Sequence, residues 1–388
     1  MKRYLLLISV VLAALSATAQ IRYEESYRLN PDQVAVKGTL NDDSVRIGKW
    51  YWYHPNGKIL REGTYDNQGH KIGVWKSYFG NGRLQESLVM SGDGKSQTWY
   101  ENGKLQSEVP VVDGEKNGAY TSWYPSGNKK DEITYTDGVK QGKTYEWYDN
   151  GKKKFEGTYE DDELEGNAIW WTERGSKDHE GMLVKGEQEG EWVFYWRTNG
   201  KVGIRGNYHQ GQETGVWTYY YETGEKWRAG EYRDGARQGV WTTWYESGKK
   251  LHEGQYVNGK EEGLWTAWYE DGSVDYTGNF HNGMKEGLWR GVYDDGRVRY
   301  EMNYHEDLQH GKTVRYFPNG KVECSENYVN GQRDGKYERY NTAGKPEEKG
   351  SFVEGKKDGQ WIWYNEYGEE AAVATFKDGK MTSMKQKK

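Results

Sequence analysis

The stretch "GVWTTWYESGKKLHEGQYVNGKEEGLW", residues 239–265, restarts before it ends: the closing Gly263-Leu264-Trp265 repeats the opening Gly239-Val240-Trp241. Aromatic residues dominate it, and aliphatic ones are few. Working outward, the same opening recurs at Gly48, Gly73, Gly94, Gly118, Gly142, Gly166, Gly190, Gly215, Gly239, Gly263, Gly287, Gly311, Gly335 and Gly359. Most steps are 24 residues, so fourteen units fill the chain from residue 48 to about 379. Self-similarity at such a period marks a repeat architecture in which each unit leans on its neighbours.

Counting the opening Gly as offset 0, offset 2 is often Trp, as in Trp50, Trp75, Trp192, Trp217, Trp241, Trp265, Trp289 and Trp361. Offset 5 is aromatic in every unit except the one opened by Gly287, which has Val292. Offset 9 is Gly, offset 15 is often Gly, and offset 17 is usually Tyr or Phe, as in Tyr232, Tyr256 and Phe280. Asn or another polar residue precedes the offset-9 Gly, and a second Asx-Gly pair such as Asn258-Gly259 follows the offset-17 aromatic. Asn-Gly pairs tolerate positive φ and favour two-residue type I′ hairpins. Each unit therefore reads as two short strands with one turn inside it and one leading onward. The runs are too short and too rich in Gly for helices.

A two-residue loop at offsets 8 and 9 makes paired offsets sum to 17, which sets Trp241 opposite Gly254 and Gly239 opposite Tyr256. Both glycines are then expected under aromatic rings. The same rule pairs Glu246 with Lys249, Glu101 with Lys104, Asp149 with Lys152 and Asp294 with Arg297 beside the turns. Alternation along the strands puts Trp241, Tyr245 and Tyr256 on one packed face. It puts Trp244 on the other face beside Thr242, Glu253 and Gln255. The fold class expected is all-β: tandem antiparallel β-hairpins forming one elongated, twisted, solenoid-like ribbon.

The pattern in "EGQYVNGKEEGLWTAWYEDG" (253–272) and "AGEYRDGARQGVWTTWYESG" (229–248) resembles the MORN repeat in its bacterial variant form. That resemblance covers about residues 48–379 and implies tandem hairpins in a long sheet. It also implies an interaction or scaffolding role, in some relatives linked to lipids or membrane-associated assemblies.

Composition agrees with such a fold. The 388 residues include 19 Trp, 33 Tyr and 52 Gly but only 7 Phe and 6 Pro, with a mean hydropathy of −1.12. Disordered chains share the low hydropathy but lack the aromatics. The first 19 residues read as a secretory signal: Lys2 and Arg3, an apolar run from Leu5 to Leu15, and Ala17-Thr18-Ala19 before cleavage near Ala19-Gln20. Residues 20–47 are expected to be an N-terminal cap or half repeat and 380–388 a basic tail. Losing Lys2 and Arg3 takes the formal net charge from −6 to −8, which disfavours nucleic acid and anionic lipid surfaces as partners. No apolar segment is long enough to span a bilayer. The single Cys324 has no disulfide partner within the chain and reads as a small packed residue.

No catalytic or metal-binding constellation stands out. His209, His281 and His305 recur at turns without the spacing of a zinc site, and no cofactor is implied. The expectation is a non-enzymatic, exported scaffold, periplasmic or extracellular, that binds protein partners. The alternative is glycan- or choline-type binding by the offset-5 ladder of Trp99, Trp123, Trp147, Trp171, Trp244 and Trp268. Aromatic platforms among polar neighbours suit sugar rings or quaternary ammonium groups.

Overall fold

The computed structural model describes residues 20–28 and 30–387, so the signal segment expected over 1–19 lies outside the described residues. The chain is all-β, with 33 strands and no helix among the described residues. It divides into two compact units, one up to Gly175 and one from Ser176. Within each, successive strands pair antiparallel in chain order. In the first unit, Ile21–Tyr27 pairs with Asn30–Leu40 and leads into the first full hairpin. In the second, the basic tail expected after residue 379 is a strand, Lys380–Gln386, which returns through Asp378 and Gly379, both at positive φ, to pair with Glu370–Lys377.

The expected register holds over most of each hairpin. Gly239 lies opposite Tyr256, Trp241 opposite Gly254, Thr242 opposite Glu253 and Thr243 opposite His252. It slips at the next position, where Trp244 faces Lys250. The slip comes from the turn. Gly248 N–H donates to Tyr245 O at 2.9 Å, and Tyr245 N–H donates to Lys249 O at 2.8 Å. Gly248 has φ +84°, whereas Ser247 is not among the residues at positive φ. This is a three-residue loop with a bulged glycine, not the type I′ turn expected. The type I′ turn is the second one, where Asn258 (φ +49°) and Gly259 (φ +81°) are both left-handed.

The asparagine before the inner-turn glycine therefore serves through its side chain. Asn150 Oδ1 accepts from Lys152 N–H at 3.0 Å, and its Nδ2 donates to Glu173 O at 2.9 Å in the following turn. The expected Glu–Lys pairs beside the turn give way too. Lys152 Nζ donates to Arg174 O at 2.5 Å, Lys104 Nζ to Ser126 O at 2.5 Å and Lys249 Nζ to Asp271 O at 3.2 Å. Arg297 pairs with Asp295, within its own turn. A longer loop swings the lysine ammonium forward, where a backbone carbonyl of the next turn accepts from it.

Hairpins join through a second irregularity. Glu253 faces Thr266 and Gln255 faces Glu262, so Gly263, Leu264 and Trp265 all bulge against the single residue Gly254. Gly263 has φ +68°, which L-residues adopt only at a cost. The bulge lays the Trp265 ring on Gly254, where an added Cβ would sit 2.1 Å from Trp265 Cδ2. Trp241 covers Gly230 in the same way, with a gap of 2.2 Å to a hypothetical Cβ, and its Nε1–H donates to Glu231 O at 3.1 Å. Each tryptophan thus covers the glycine of the preceding hairpin, not the one opposite it in register. Gly239, expected under a ring, has only the Glu231 carboxylate within 4 Å of a would-be Cβ, and what it supplies is φ +69°.

Offset-17 rings fill the gaps between tryptophans edge-on. In the second unit the series runs Tyr232–Trp241 (5.1 Å, 90°), Trp241–Tyr256 (6.1 Å, 78°), Tyr256–Trp265 (5.3 Å, 86°) and Trp265–Phe280 (5.7 Å, 77°). Edge-to-face pairs contribute about 0.5–1.5 kcal/mol each beyond their burial. Trp217, Trp241, Trp265 and Trp289 are 2–7% exposed although they sit in a single sheet layer. The first unit repeats the device with Trp50, Tyr65 and Trp75. Tyr245 was expected in this cluster but is not part of it, since the turn bulge carries it to the strand end.

Gly263→Ala is expected to lower stability by about 1–2 kcal/mol. A Cβ there meets nothing within 4 Å, so backbone strain is the only cause. Urea denaturation compared with Gly263→Asn, which tolerates the left-handed region better, checks it: the Asn variant should recover part of the loss.

Candidate interaction face

The face opposite the tryptophan–glycine row carries offsets 1, 3 and 5. Trp99, Trp123, Trp147, Trp171, Trp244 and Trp268 all lie there as the last residue of their strands, and all six are half-buried. Five of them are fixed from the neighbouring hairpin. Tyr100 OH donates to Trp123 O at 2.8 Å, Tyr124 OH to Trp147 O at 2.8 Å, Tyr148 OH to Trp171 O at 2.8 Å and Tyr221 OH to Trp244 O at 2.8 Å. Tyr245 OH does the same for Trp268 O at 2.9 Å, which is the role of the tyrosine expected in the core.

The ring faces divide into two classes. Lys129 Nζ lies 5.2 Å from the Trp147 centroid, Lys153 Nζ 5.5 Å from Trp171 and Lys250 Nζ 5.5 Å from Trp268. Each ammonium is held by a glutamate three residues on: Lys129–Glu132 at 2.6 Å, Lys153–Glu156 at 2.7 Å and Lys250–Glu253 at 2.7 Å. Thr242 Oγ1 also donates to Glu253 Oε2 at 2.7 Å. These three rings carry a cation of the chain itself, so a ligand ammonium would have to displace it. Over Trp99, Trp123 and Trp244 no cation lies among the described residues. The reason is local: Leu84 and Leu105 replace the lysine before the first two, and Ala229 replaces the glutamate before the third.

The same face exposes an apolar row in the second unit. Val216, Val240, Leu264 and Leu288, all at offset 1 of successive repeats, are 64%, 60%, 61% and 48% exposed. Sequence reasoning passed over this row, although its period is visible once offset 1 is read down the repeats.

Two further features escaped it. Basic residues two positions before the opening glycine roof the core tryptophans: Arg237 lies 4.9 Å from the Trp241 centroid, Lys285 4.6 Å from Trp289 and Lys357 3.7 Å from Trp361. Glu326, 2% exposed, stands where other units have the covered glycine, and Tyr337 replaces the covering tryptophan. Arg315 Nη2 and Arg333 Nε donate to its two oxygens at 2.6 and 2.7 Å. Beside it, burial pushes the Cys324 thiol above its ordinary pKa, as suits a packed residue rather than a nucleophile.

The turn histidines pair with glutamates, His209–Glu189 at 3.1 Å, His281–Glu262 at 3.0 Å and His305–Glu286 at 3.2 Å. Those glutamates also cap the type I′ turn, as Glu262 Oε2 accepts from Asn282 N–H at 2.9 Å. Among the described residues no three metal-binding side chains converge, and no helix is long and apolar enough to cross a membrane.

Nine segments match the MORN repeat variant: residues 46–67, 92–113, 116–137, 140–161, 213–234, 237–258, 261–282, 309–330 and 333–354, together just over half of the chain. The chain belongs to the MORN repeat variant family. No curated protein matches this MORN chain. Among solved structures, a TcdB2–TccC3 crystal structure aligns over 94% of this chain and 24% of its own at 10% identity, with a TM-score of 0.16. The pore of the Photorhabdus luminescens Tc holotoxin aligns over 92% and 22% at 12% identity, with a TM-score of 0.17. The MORN chain thus spans less than a quarter of the solved chains it aligns with, and scores this low carry no argument about its arrangement or role.

Burial tends to raise the Glu253 carboxyl, but the hydrogen bonds from Lys250 and Thr242 and the lysine charge outweigh it and hold the pKa below the ordinary glutamate value. A depressed carboxylate stabilises the fold above its unfolded pKa, and that contribution is lost as pH falls through the folded value. Lys250→Met should move the Glu253 titration up toward or beyond the ordinary range, read by carbon NMR of the carboxyl. An unmoved titration would mean that the Lys250–Glu253 pair, a strut beneath the Trp268 ring, does not form.

Proposed function

We propose that this MORN-repeat scaffold is exported, has no enzymatic activity, and binds protein partners in the cell envelope or outside the cell. The observation that carries the reading is the exposed row Val216, Val240, Leu264 and Leu288, set at one residue per repeat on the face that the core does not use. Exposed apolar rows flanked by polar residues mark interaction surfaces. A partner with matching apolar side chains at the hairpin spacing, about 10 Å for two strands, would engage several units at once. Export rests on the first 19 residues of the sequence.

The test has two parts. Terminal sequencing of protein recovered from the envelope or medium should begin at Gln20. Cross-linked capture from an envelope fraction should then retain a reproducible protein partner that the double variant Val240→Glu, Leu264→Glu loses. Both residues are at least 60% exposed, so that variant should melt as the parent does. Equal capture by both proteins would refute the assignment of the row.

A second reading, glycan binding through the ladder, is favoured at Trp99, Trp123 and Trp244, whose rings carry no lysine. Tryptophan fluorescence titrated with envelope polysaccharides should respond in the parent and fail to respond in the triple variant Trp99→Ala, Trp123→Ala, Trp244→Ala. A flat parental response rules it out.

A further inference from the structure

One break in the lysine–glutamate pattern opens a groove in the second unit. Where the unit opened by Gly239 has Lys250 and Glu253, the unit opened by Gly311 has Val322 and Ser325. Both side chains are shorter, and the space they leave is a groove of about 640 Å³. Tyr316 and Tyr340 line it from strands Leu308–Tyr316 and Gln332–Tyr340, with Val314, Val322 and Ser325 between them. Those two strands have one strand between them, so Tyr316 and Tyr340 leave the sheet about 10 Å apart at ~4.8 Å per strand. Contact distances of about 3.5–4 Å on each side leave room for the atoms of a single puckered ring.

We infer that this groove is a carbohydrate-binding site in which Tyr316 and Tyr340 flank one pyranose ring. The chemistry of the lining favours a polyol over the alternatives. The aliphatic floor and aromatic walls suit the C–H faces of a sugar. Ser325 Oγ, the Glu338 carboxylate and the ammonium groups of Lys312 and Lys321 supply hydroxyl partners at the rim. A cationic ligand is disfavoured, because Lys312 and Lys321 line the groove while Lys349 already lies 5.6 Å from the Tyr340 centroid and 3.4 Å from Glu338 Oε1. Lys321 is also held in place, donating to Ala343 O at 2.7 Å across the open end. Tyr316 and Tyr340 hold offset 5, the position of the ladder tryptophans, so the inference rests on the glycan reading of that row and places it at two tyrosine rungs; the filled variants leave all six ladder tryptophans intact, which separates failure here from failure at the ladder.

The test rebuilds the strut. Val322→Lys with Ser325→Glu copies the Lys250–Glu253 pair into the groove and fills it without touching the core face. Calorimetric titration of the full chain with cellobiose, N,N′-diacetylchitobiose and digalacturonate should show millimolar binding of at least one, about −4 kcal/mol. The double variant should bind that sugar at least about tenfold more weakly while its melting temperature stays at or above the parent's. Should that variant fail to fold, Ser325→Gln narrows the same floor by one side chain and must weaken binding in the same direction. Either no binding of any of the three sugars up to about 10 mM or undiminished binding by the filled variants overturns the proposal.

Discussion

The contact on which the structure depends is an indole ring lying flat on the backbone of the hairpin before it. It needs three residues at once. A glycine at positive φ bulges the strand, a tryptophan two positions on reaches back, and a second glycine beneath has no Cβ to hold it off. The chain's own variation shows the coupling. All eight offset-2 tryptophans cover a glycine, at Gly38, Gly63, Gly181, Gly206, Gly230, Gly254, Gly278 and Gly350. Where offset 2 is Tyr120, Thr144, Thr313 or Tyr337, the residue expected beneath is Val109, Ile133, Met302 or Glu326 instead. Once the indole is gone from above, the residue beneath carries a side chain. Gly157 beneath Ala168 is the exception, and there Phe155 fills the space, 2.6 Å from a hypothetical Cβ.

This contact explains how units so poor in aliphatic residues each hold together as a single layer. A sheet ordinarily buries a face against a second layer. Here the rings lie down on their own sheet, tyrosines wedge between them edge-on, and the stems of Arg237, Lys285 and Lys357 roof them. One face is closed by side chains of the layer itself. The other is left for struts, an apolar row and a groove.

Much of this was legible from spacing. The period, the strand order, the pairing of Trp241 with Gly254 and the placement of Trp244 on the polar face all follow from counting residues. What spacing did not reveal was loop geometry. Asn-Gly and Ser-Gly at the inner turn are compatible with two loop lengths, and the longer one is adopted, which moves Tyr245 from the core to a hydrogen bond with Trp268 O. Nor could in-register pairing show that a ring covers the preceding hairpin, since that depends on a three-against-one bulge. At the ladder, the sequence placed the six tryptophans but not the lysines on three of them, because Lys250 reaches a ring in the next unit.

A double-mutant cycle on Gly230 and Trp241 tests the central contact most directly. If the ring lies on the glycine, Gly230→Ala costs about 1–3 kcal/mol in the parent through overpacking. The same change costs nothing, or stabilises the strand, once Trp241→Ala has removed the ring. Equal costs in the two backgrounds would contradict the account, since they would mean that the glycine serves the backbone alone.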